Sequence, residues 1–258
     1  MSRLRARCPD CRTLTAVALG PEYQCHSCGR EFGAGLVRVP RAWGTGGEAM
    51  AEAAWTALPY PETAVIEGDT LAEQTLLLAA ELPDRPVVLG GCCCSHVGAI
   101  EALSAGEECL AVVWIDAHGD LNTPQTSPSG NAWGMPLRMA IDHGAVLPKH
   151  VALVGARNLD PPEVEFIEAS GIQNGEFAID AALEGADAVY VALDCDVVEP
   201  GELAVFMPEP DGLALNEIER LLVEIAESAR IAGLGLTGLV ADPENEPKLA
   251  RFCSALGL

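Results

Sequence analysis

The stretch from residue 110 to residue 124 reads LAVVWIDAHGDLNTP, and it decides the fold of this 258-residue chain. Its six leading apolar residues predict a strand that is buried on both faces, as in a parallel sheet. The strand ends at Asp116, and His118 and Asp120 follow at alternate positions. In open α/β sheets, ligands bind beyond the carboxyl ends of the strands. The stretch therefore predicts an α/β fold with a functional site at that edge.

The rest of the chain repeats this alternation of strand and helix. The predicted strands cover residues 86–89, 110–115, 151–154, 188–193 and 231–239. The predicted helices cover residues 70–81, 97–104, 162–169 and 216–228. Short apolar strands alternating with helices are typical of a parallel sheet that is covered on both faces. We predict a three-layer α/β/α sandwich with a central parallel sheet.

A second strand also ends on acidic residues, because the apolar run 188–193 continues into Asp194 and Asp196. With the polar residues after the first strand, they form a set of five donors, four of them acidic. So many like charges repel one another unless cations lie between them. A lone aspartate after a strand is often only a turn or helix cap, but paired spacing on two strands favours metal. Carboxylates with an imidazole suit Mn²⁺, Mg²⁺, Fe²⁺ or Zn²⁺.

The N-terminal segment carries a different metal-binding pattern. Cys8 and Cys11 form one CxxC knuckle, and Cys25 and Cys28 form a second. Two such knuckles complete a closed tetrahedral site with no position open for a substrate, which is typical of structural zinc. We predict a zinc ribbon, with zinc or iron bound, over residues 1–36 and an α/β hydrolase domain over residues 37–258.

Composition limits the partners and the compartment. The formal net charge is −23, although residues 1–41 contain seven arginines and three acidic residues. Such an acidic body repels phosphate backbones, so nucleic acid is an unfavourable partner, whereas a cationic small molecule is compatible with it. The sequence has no apolar run of about 18 residues and no apolar signal core near its first residue. We therefore expect a cytoplasmic protein without a membrane partner.

Several motifs resemble those of the arginase (ureohydrolase) family. Residues 114–124, WIDAHGDLNTP, and their continuation 127–136, SPSGNAWGMP, resemble its central metal motif. The LDCD of residues 193–196 resembles the second metal motif, and the GGCCC of residues 90–94 resembles the first. Matching segments span about residues 87–243. The resemblance implies an α/β/α sandwich, a metal-dependent hydrolase of C–N bonds, and a homo-oligomer.

The resemblance also implies metal ligands, with one or two Mn²⁺ ions, or other divalent ions, per active site. Asp116 and Asp194 would bridge two ions, Asp120 would bind one, and His118 and Asp196 would bind the other. Three of these, the aspartates at 116, 120 and 194, are the catalytic candidates. A bridging hydroxide would attack a guanidinium carbon, and the tetrahedral intermediate would collapse to urea and an amine.

Further positions imply the substrate. Asn122, Ser127 and Ser129 align with residues that hold an α-carboxylate, and Asn158 and Asp160 align with two aspartates near the α-amino group. The resemblance therefore favours a cationic amino acid of arginine type over agmatine, which lacks a carboxylate.

Three positions depart from the family pattern. Cys93 stands where the family has a metal-binding histidine, and a thiolate is a softer ligand than an imidazole. His96 lies one helical turn further on and is an alternative ligand. The simpler interpretation is that His96 is an ordinary helix residue without a metal. Trp133 stands where arginases have a proton-shuttling histidine; tryptophan cannot shuttle protons but can stack on a cation. Val240 stands where the family has a glutamate that pairs with the substrate guanidinium. A buried guanidinium without a carboxylate partner is costly. We therefore expect Asp242 or a nearby glutamate to take over this role.

Three hypotheses therefore remain open. The first is a hydrolase that cleaves a C–N bond of a guanidino or hydroxyguanidino amino acid with a metal-bound hydroxide. The second is a hydrolase of another amidine, formimino or amide substrate, and the changes at Trp133 and Val240 favour either it or the third hypothesis. The third is a non-catalytic metal-binding homologue whose zinc ribbon mediates assembly. The intact set of five donors argues against the third hypothesis.

Overall fold

The computed structural model describes residues 5–6, 8, 11, 13, 15–19, 22–32, 35–107, 109–175 and 177–258. Its strands form two sheets, one of four strands near the N-terminus and one of eight strands in the rest of the chain. No helix of the described residues is long and apolar enough to span a membrane.

The larger sheet is parallel throughout, with the strand order β10-β9-β8-β11-β12-β7-β5-β6. Its strands are β5 (Leu36–Val39), β6 (Glu62–Val65), β7 (Val87–Gly90), β8 (Leu110–Ile115), β9 (Val151–Val154), β10 (Gln173–Asn174), β11 (Ala188–Asp194) and β12 (Ile231–Thr237). The central strands β8 and β11 are buried along their whole length. The predicted parallel sheet is therefore confirmed.

Helices cover both faces of this sheet. They are α1 (Glu48–Ala53), α2 (Leu71–Glu81), α3 (Ser95–Gly106), α4 (Pro136–Asp142), α5 (Pro161–Ser170), α6 (Ala178–Leu183), α7 (Leu215–Ser228) and α8 (Asn245–Ala255). Alternate residues of β8 join two separate apolar clusters: Val113 packs in the cluster of α7 and α8, and Val112 in the cluster of α2, α3, α4 and α5. This alternation follows from the period of two along a strand. The chain is thus an α/β/α sandwich.

Local signals explain where several helices begin and end. Thr70, the first residue of one predicted helix, is the N-cap of α2, and its side chain accepts a hydrogen bond from the Glu73 backbone. Asp160 and Glu163 form a capping box at the start of α5, and Gly171, in the left-handed region, ends this helix. In the part of the chain that forms the larger sheet, the sequence patterns missed the elements that are short or only weakly apolar, namely β5, β6, β10, α1, α4, α6 and α8.

The smaller sheet is antiparallel, in the order β1 (Arg5–Ala6), β2 (Ala16–Leu19), β3 (Glu22–Cys25) and β4 (Glu31–Phe32). Residues 1–4, 7, 9–10, 12, 14, 20–21 and 33–34 of the predicted ribbon lie outside the described residues. Arg30 Nη2 donates to the Gly257 carbonyl at 3.3 Å, which joins this sheet to the C-terminal segment. Since β5 already begins at Leu36, one residue before the predicted domain start, the division at residue 36 stays a prediction.

Candidate active site

A cavity of about 200 Å³ lies at the carboxyl edge of the parallel sheet. We call it the rim cavity. It is lined by the proposed metal ligands, apart from the alternative ligand His96, and by the residues aligned with substrate-binding positions. They are Cys93, Asp116, His118, Asp120, Asn122, Ser127, Ser129, Trp133, Asn158, Asp160, Asp194 and Asp196. Met50, Cys92, Glu163, Phe206, Met207 and Gly238 line it as well, and the sequence patterns did not single these out.

Short loops after β8 and β11 hold the aspartates in place. Asp116 Oδ1 accepts a hydrogen bond from the His118 backbone at 2.7 Å, and Asp194 Oδ1 accepts one from the Asp196 backbone at 2.9 Å. The alternate spacing of the two motifs is what allows each aspartate to bond to the amide two residues later. Trp114 Nε1 donates to Asp116 Oδ2 at 3.0 Å. The carboxylates are thus oriented by the local chain.

One residue close to Asp194 must be glycine. Gly238, which follows β12, has φ +72°, in the left-handed region. A Cβ at this position would collide with the carboxylate of Asp194. The glycine lets the end of β12 approach the site while Asp194 keeps its orientation.

His118 lies between two of the aspartates. Its Nδ1 is 3.1 Å from Asp196 Oδ2 and 3.4 Å from Asp116 Oδ1. Burial favours the neutral ring, but the hydrogen bonds and charges of Asp116 and Asp196 outweigh it and raise the pKa of His118 to about 12. These distances show that Nδ1 is the ring nitrogen that faces the carboxylate cluster.

Burial and mutual repulsion act on the aspartates in the same direction. Burial raises the pKa of Asp194 to about 7 and that of Asp196 to about 6, with further contributions from neighbouring carboxylates. The pKa of Asp116 rises for the same reasons, and that of Asp120 rises well above its usual range. Carboxyl groups whose pKa is raised by burial and by neighbouring carboxylates are stabilised as anions when a cation binds among them.

The donors fall into two groups that share one residue. Cys93, Asp116 and Asp120 form one group, and Asp116, His118 and Asp196 form the other, with ligand atoms within 4.8 Å of one another in each. Buried Asp120 Oδ2 has no hydrogen-bond partner among the described residues, and a buried oxygen without a partner is costly. Mixed oxygen, nitrogen and thiol donors around such an oxygen fit divalent ions of the Mn²⁺, Fe²⁺ and Zn²⁺ type.

Cys93 lies inside the carboxylate cluster. Its Sγ is 2.7 Å from Asp194 Oδ2 and 3.2 Å from Thr237 Oγ1. Burial, together with the charge of Asp194, raises the pKa of the thiol well above its usual value. The thiol is therefore protonated and donates to Asp194 until a cation displaces the proton.

His96 lies behind Thr237 and does not line the rim cavity. It is fully buried in α3, with Nε2 3.2 Å from Thr237 Oγ1 and Nδ1 3.0 Å from Tyr190 Oη. Burial lowers its pKa to about 3, so the ring is neutral. The structure thus gives His96 a packing position, and the alternative that it replaces Cys93 as a ligand is not supported.

The polar side of the cavity contains the predicted substrate residues. Asn122 Nδ2 donates to Asp160 Oδ2 at 2.8 Å, and Ser127 Oγ lies 3.4 Å from Ser129 Oγ. Glu163 Oε1 accepts from the Leu121 backbone at 2.8 Å, which ties α5 to the loop after β8. The capping-box spacing of Asp160 and Glu163 was the sequence signal that would have identified Glu163.

Apolar side chains form another part of the lining, which we call the apolar wall. Trp133 packs edge-on against Phe206 with ring centroids 5.9 Å apart, beside Met50 and Met207. Neither Val240 nor Asp242 lines the rim cavity. Asp242 Oδ1 instead accepts from the Glu244 backbone at 2.8 Å. The expectation that Asp242 replaces the guanidinium-binding glutamate is therefore wrong, because its carboxylate caps the turn before α8.

Cys8, Cys11, Cys25 and Cys28 form a separate four-cysteine cluster. Cys8 Sγ lies 3.6 Å from Cys28 Sγ, Cys11 Sγ lies 3.4 Å from Cys25 Sγ, and all four sulfurs lie within 4.8 Å of one another. A hydrogen bond from Thr15 lowers the pKa of Cys25 to about 5. Four converging thiols, one already favoured as a thiolate, fit a tetrahedral zinc ion.

The parallel sheet and the carboxylate cavity at its carboxyl edge define an α/β/α protein with a metal-type site. The model of the Arginase family matches residues 62–245, and the chain belongs to this family.

Individual relatives agree with this assignment. The chain is 34% identical to "Arginase" of Bacillus caldovelox over 170 residues, which are 55% of this chain and 57% of that protein. It is 33% identical to "N(omega)-hydroxy-L-arginine amidinohydrolase" of Streptomyces lavendulae over 62% of each chain. The crystal structure of arginase from Bacillus cereus superposes with a TM-score of 0.74 at 25% identity, covering 86% of this chain and 97% of that one. The sequence matches thus span less than two thirds of these relatives.

Proposed function

We propose that the protein is a metal-dependent hydrolase that cleaves a C–N bond of a guanidino or hydroxyguanidino amino acid. The observation that carries the proposal is the pair of donor groups that share Asp116 inside one cavity. Membership of the Arginase family supports the same reaction class. Similarity to proteins described as an arginase and as a hydroxyarginine amidinohydrolase supports the substrate class.

Two groups of residues in the rim cavity have different roles in this proposal, and the first group binds the metal ions. Asp116 and Asp194 would contribute to both metal positions, with Asp120 and Cys93 at one and His118 and Asp196 at the other. Bound divalent ions would supply a water molecule of lowered pKa, which is a nucleophile at neutral pH. Buried Asp120, whose Oδ2 lacks a partner among the described residues, has an acceptor oxygen available to hold the proton of the attacking water.

The polar residues of the cavity recognise the amino-acid end of the substrate in this proposal. Asn122, Ser127 and Ser129 would donate from their amide and hydroxyl groups to an α-carboxylate, and Asn158 and Asp160 would bind the α-ammonium group. The net charge of −23 favours a cationic substrate by long-range attraction.

One observation favours a hydroxyguanidino substrate over arginine itself. Trp133 occupies the expected position of the proton shuttle and has no group that transfers protons. A substrate whose cleavage needs less help from such a shuttle, a hydroxyguanidine or another amidine in this proposal, is therefore favoured over arginine. The apolar wall of Trp133 and Phe206 also suits a planar group stacked above the metal site. Another amidine remains the second candidate for the same reasons.

For the four-cysteine cluster we propose a structural zinc ion. Its four positions are all filled by protein sulfur, so it leaves no site for substrate. The ribbon would then serve as an assembly element, and a homo-oligomer is the expected state. Light scattering after gel filtration of the zinc-loaded protein tests this expectation.

Metal content and a substrate panel test the function together. We expect one tightly held zinc and one or two Mn²⁺ per chain after loading and gel filtration. The panel contains L-arginine, Nω-hydroxy-L-arginine, agmatine and an N-formimino amino acid, with the released amine measured by chromatography. Turnover of hydroxyarginine or arginine supports the proposal. Turnover of the formimino compound alone would move the substrate to the second candidate, and zinc without any retained Mn²⁺ would favour a non-catalytic protein.

A further inference from the structure

Glu209 is an acidic residue beside the rim cavity that no sequence motif identified. It belongs to the loop between β11 and α7, and its side chain is 23% exposed. Its Oε1 lies 3.5 Å from His118 Nε2 and accepts a hydrogen bond from Asn158 Nδ2 at 3.1 Å. Arg157 fixes this part of the loop, because its guanidinium donates to the carbonyls of Glu209 at 3.0 Å and of Pro210 at 2.8 Å.

The two nitrogens of His118 have different surroundings. Nδ1 faces Asp116 and Asp196, the two residues with which it forms a candidate ligand group. A metal ion bound there takes the lone pair of Nδ1, so the single proton of the neutral ring must sit on Nε2. Nε2 then needs an acceptor.

Among the residues that the structure describes, two polar groups lie 3.5 Å from Nε2, and the carboxylate is the one that can accept. Asn158 presents its Nδ2, which is a donor. Glu209 presents Oε1, which is an acceptor. Oε1 already accepts from Asn158 Nδ2, and a carboxylate oxygen has the capacity for a second hydrogen bond.

We propose that Glu209 is a positioning residue that accepts the Nε2–H of His118, fixes the ring for Nδ1 ligation and thereby strengthens metal binding by the Asp116–His118–Asp196 group. The proposal rests on the metal centre of the proposed function but on no particular substrate. Carboxylates that accept from a ligating histidine orient the ring and raise its basicity. Because Glu209 also bonds to Asn158, it connects this metal position with the substrate side of the cavity.

Metal affinity of four variants tests this role. Glu209→Ala and Glu209→Met remove the acceptor, and the second keeps the length of the side chain. Glu209→Gln keeps a neutral acceptor oxygen. Asp211→Asn is the matched control, since Asp211 lies in the same exposed loop, has φ +60°, which asparagine tolerates, and loses the same charge. Mn²⁺ affinity is measured by calorimetry, and the metal-free melting temperature of each variant is recorded.

We expect Glu209→Ala and Glu209→Met to weaken one Mn²⁺ site about 10- to 100-fold, with Glu209→Gln recovering part of the loss and Asp211→Asn binding as the wild type does. Nitrogen-15 spectra of the Zn²⁺-loaded wild type should show the His118 proton on Nε2. Equal affinity in Glu209→Met and Asp211→Asn, or a proton on Nδ1, would overturn the proposal. Neither readout requires turnover, so intact metal binding without activity would count against the proposed substrate and not against Glu209.

Discussion

The four-cysteine cluster and the rim cavity are two metal-type sites built in opposite ways. The first collects its ligands from 21 consecutive residues, Cys8 to Cys28, and closes them around one point. The second collects Cys93, Asp116, His118, Asp120, Asp194 and Asp196 from three separate loops of one sheet, with open space beside them. A closed local site serves stability, whereas an open site on a rigid edge leaves room for a substrate.

The two sites also differ in what supports them. The apolar core of the smaller sheet is formed by Cys8, Ala16, Tyr23 and Cys25, so two of its members also belong to the four-cysteine cluster. A unit of this size usually needs a metal to fold. The rim cavity instead lies on the central strands β8 and β11, which are packed between two extensive apolar clusters. We therefore expect that metal is needed for folding at the four-cysteine cluster. At the rim cavity, we expect that metal is needed for the reaction and that the sheet folds without it.

The largest effect should come from Asp116 and Asp194, the two aspartates proposed to serve both metal positions of the rim cavity. We expect Asp116→Ala or Asp194→Ala to lower turnover to below about a thousandth of the wild-type value, while circular dichroism stays unchanged. Asp180→Ala, an exposed aspartate at the start of α6, is the control. Full turnover in either rim variant would refute the proposed mechanism.

The four-cysteine cluster should give the opposite result. Cys25→Ser is expected to release the tightly held zinc and to expose residues of the smaller sheet to protease, because metal binding supplies the folding energy of so small a unit. The melting transition of the larger domain should remain close to that of the wild type. Cys109→Ser, a cysteine outside both clusters, should keep the zinc. Retention of one zinc by Cys25→Ser would show that the cluster is not the zinc site.

The pH dependence of stability should distinguish the metal-free rim cavity from the loaded one. The folded pKa values of Asp194, about 7, and Asp196, about 6, lie above the ordinary value of 3.8. The folded state therefore binds more protons than the unfolded state, and the associated stability falls as pH rises through 6 and 7. The raised pKa of His118, about 12, acts in the same direction above pH 6.5.

We therefore expect the melting temperature of the metal-free protein to fall between pH 5 and pH 8, and the gain on adding Mn²⁺ to rise over the same range, since the ion displaces these protons. Differential scanning calorimetry with and without Mn²⁺ measures both. Asp194→Asn should reduce the slope of the metal-free protein. An equal gain from Mn²⁺ at pH 5 and pH 8 would contradict the expectation.

The sequence predicted the rim-cavity residues that lie close together in the chain better than those that only the fold brings together. Asp116, His118 and Asp120 stand within five residues at the end of a strongly apolar strand, so both the strand and the edge position follow from the pattern. The four cysteines carry an equally local spacing. In both cases the information that places the side chains lies within a few residues of them.

Glu209 and the apolar wall could not be found in this way. Glu209 reaches His118 only because Arg157, 52 residues earlier, anchors its loop, and Phe206 meets Trp133 across two loops that are distant in sequence. The wrong expectation for Asp242 also came from reasoning along the chain. Asp242 is close to Val240 in sequence, but this closeness does not determine where the Asp242 carboxylate lies. Strands β5 and β6 escaped prediction because only the assembled sheet specifies their pairing.

The smallest expected effect concerns Cys93, a proposed ligand that stands where the family resemblance implies a histidine. Cys93 lies between Asp194 and Asp116, with its Sγ 2.7 Å and 4.0 Å from their Oδ2 atoms, so a metal bound to these aspartates would contact the sulfur. An imidazole is a better match than a thiolate for Mn²⁺, which prefers harder donors. We expect Cys93→His to tighten Mn²⁺ binding by about tenfold in calorimetry. Cys94→Ser, a change in the adjacent buried cysteine outside the cavity lining, should leave it unchanged. If Cys93→His binds Mn²⁺ no better than Cys94→Ser does, Cys93 is not a metal ligand, and Asp116 and Asp120 must hold that ion without it.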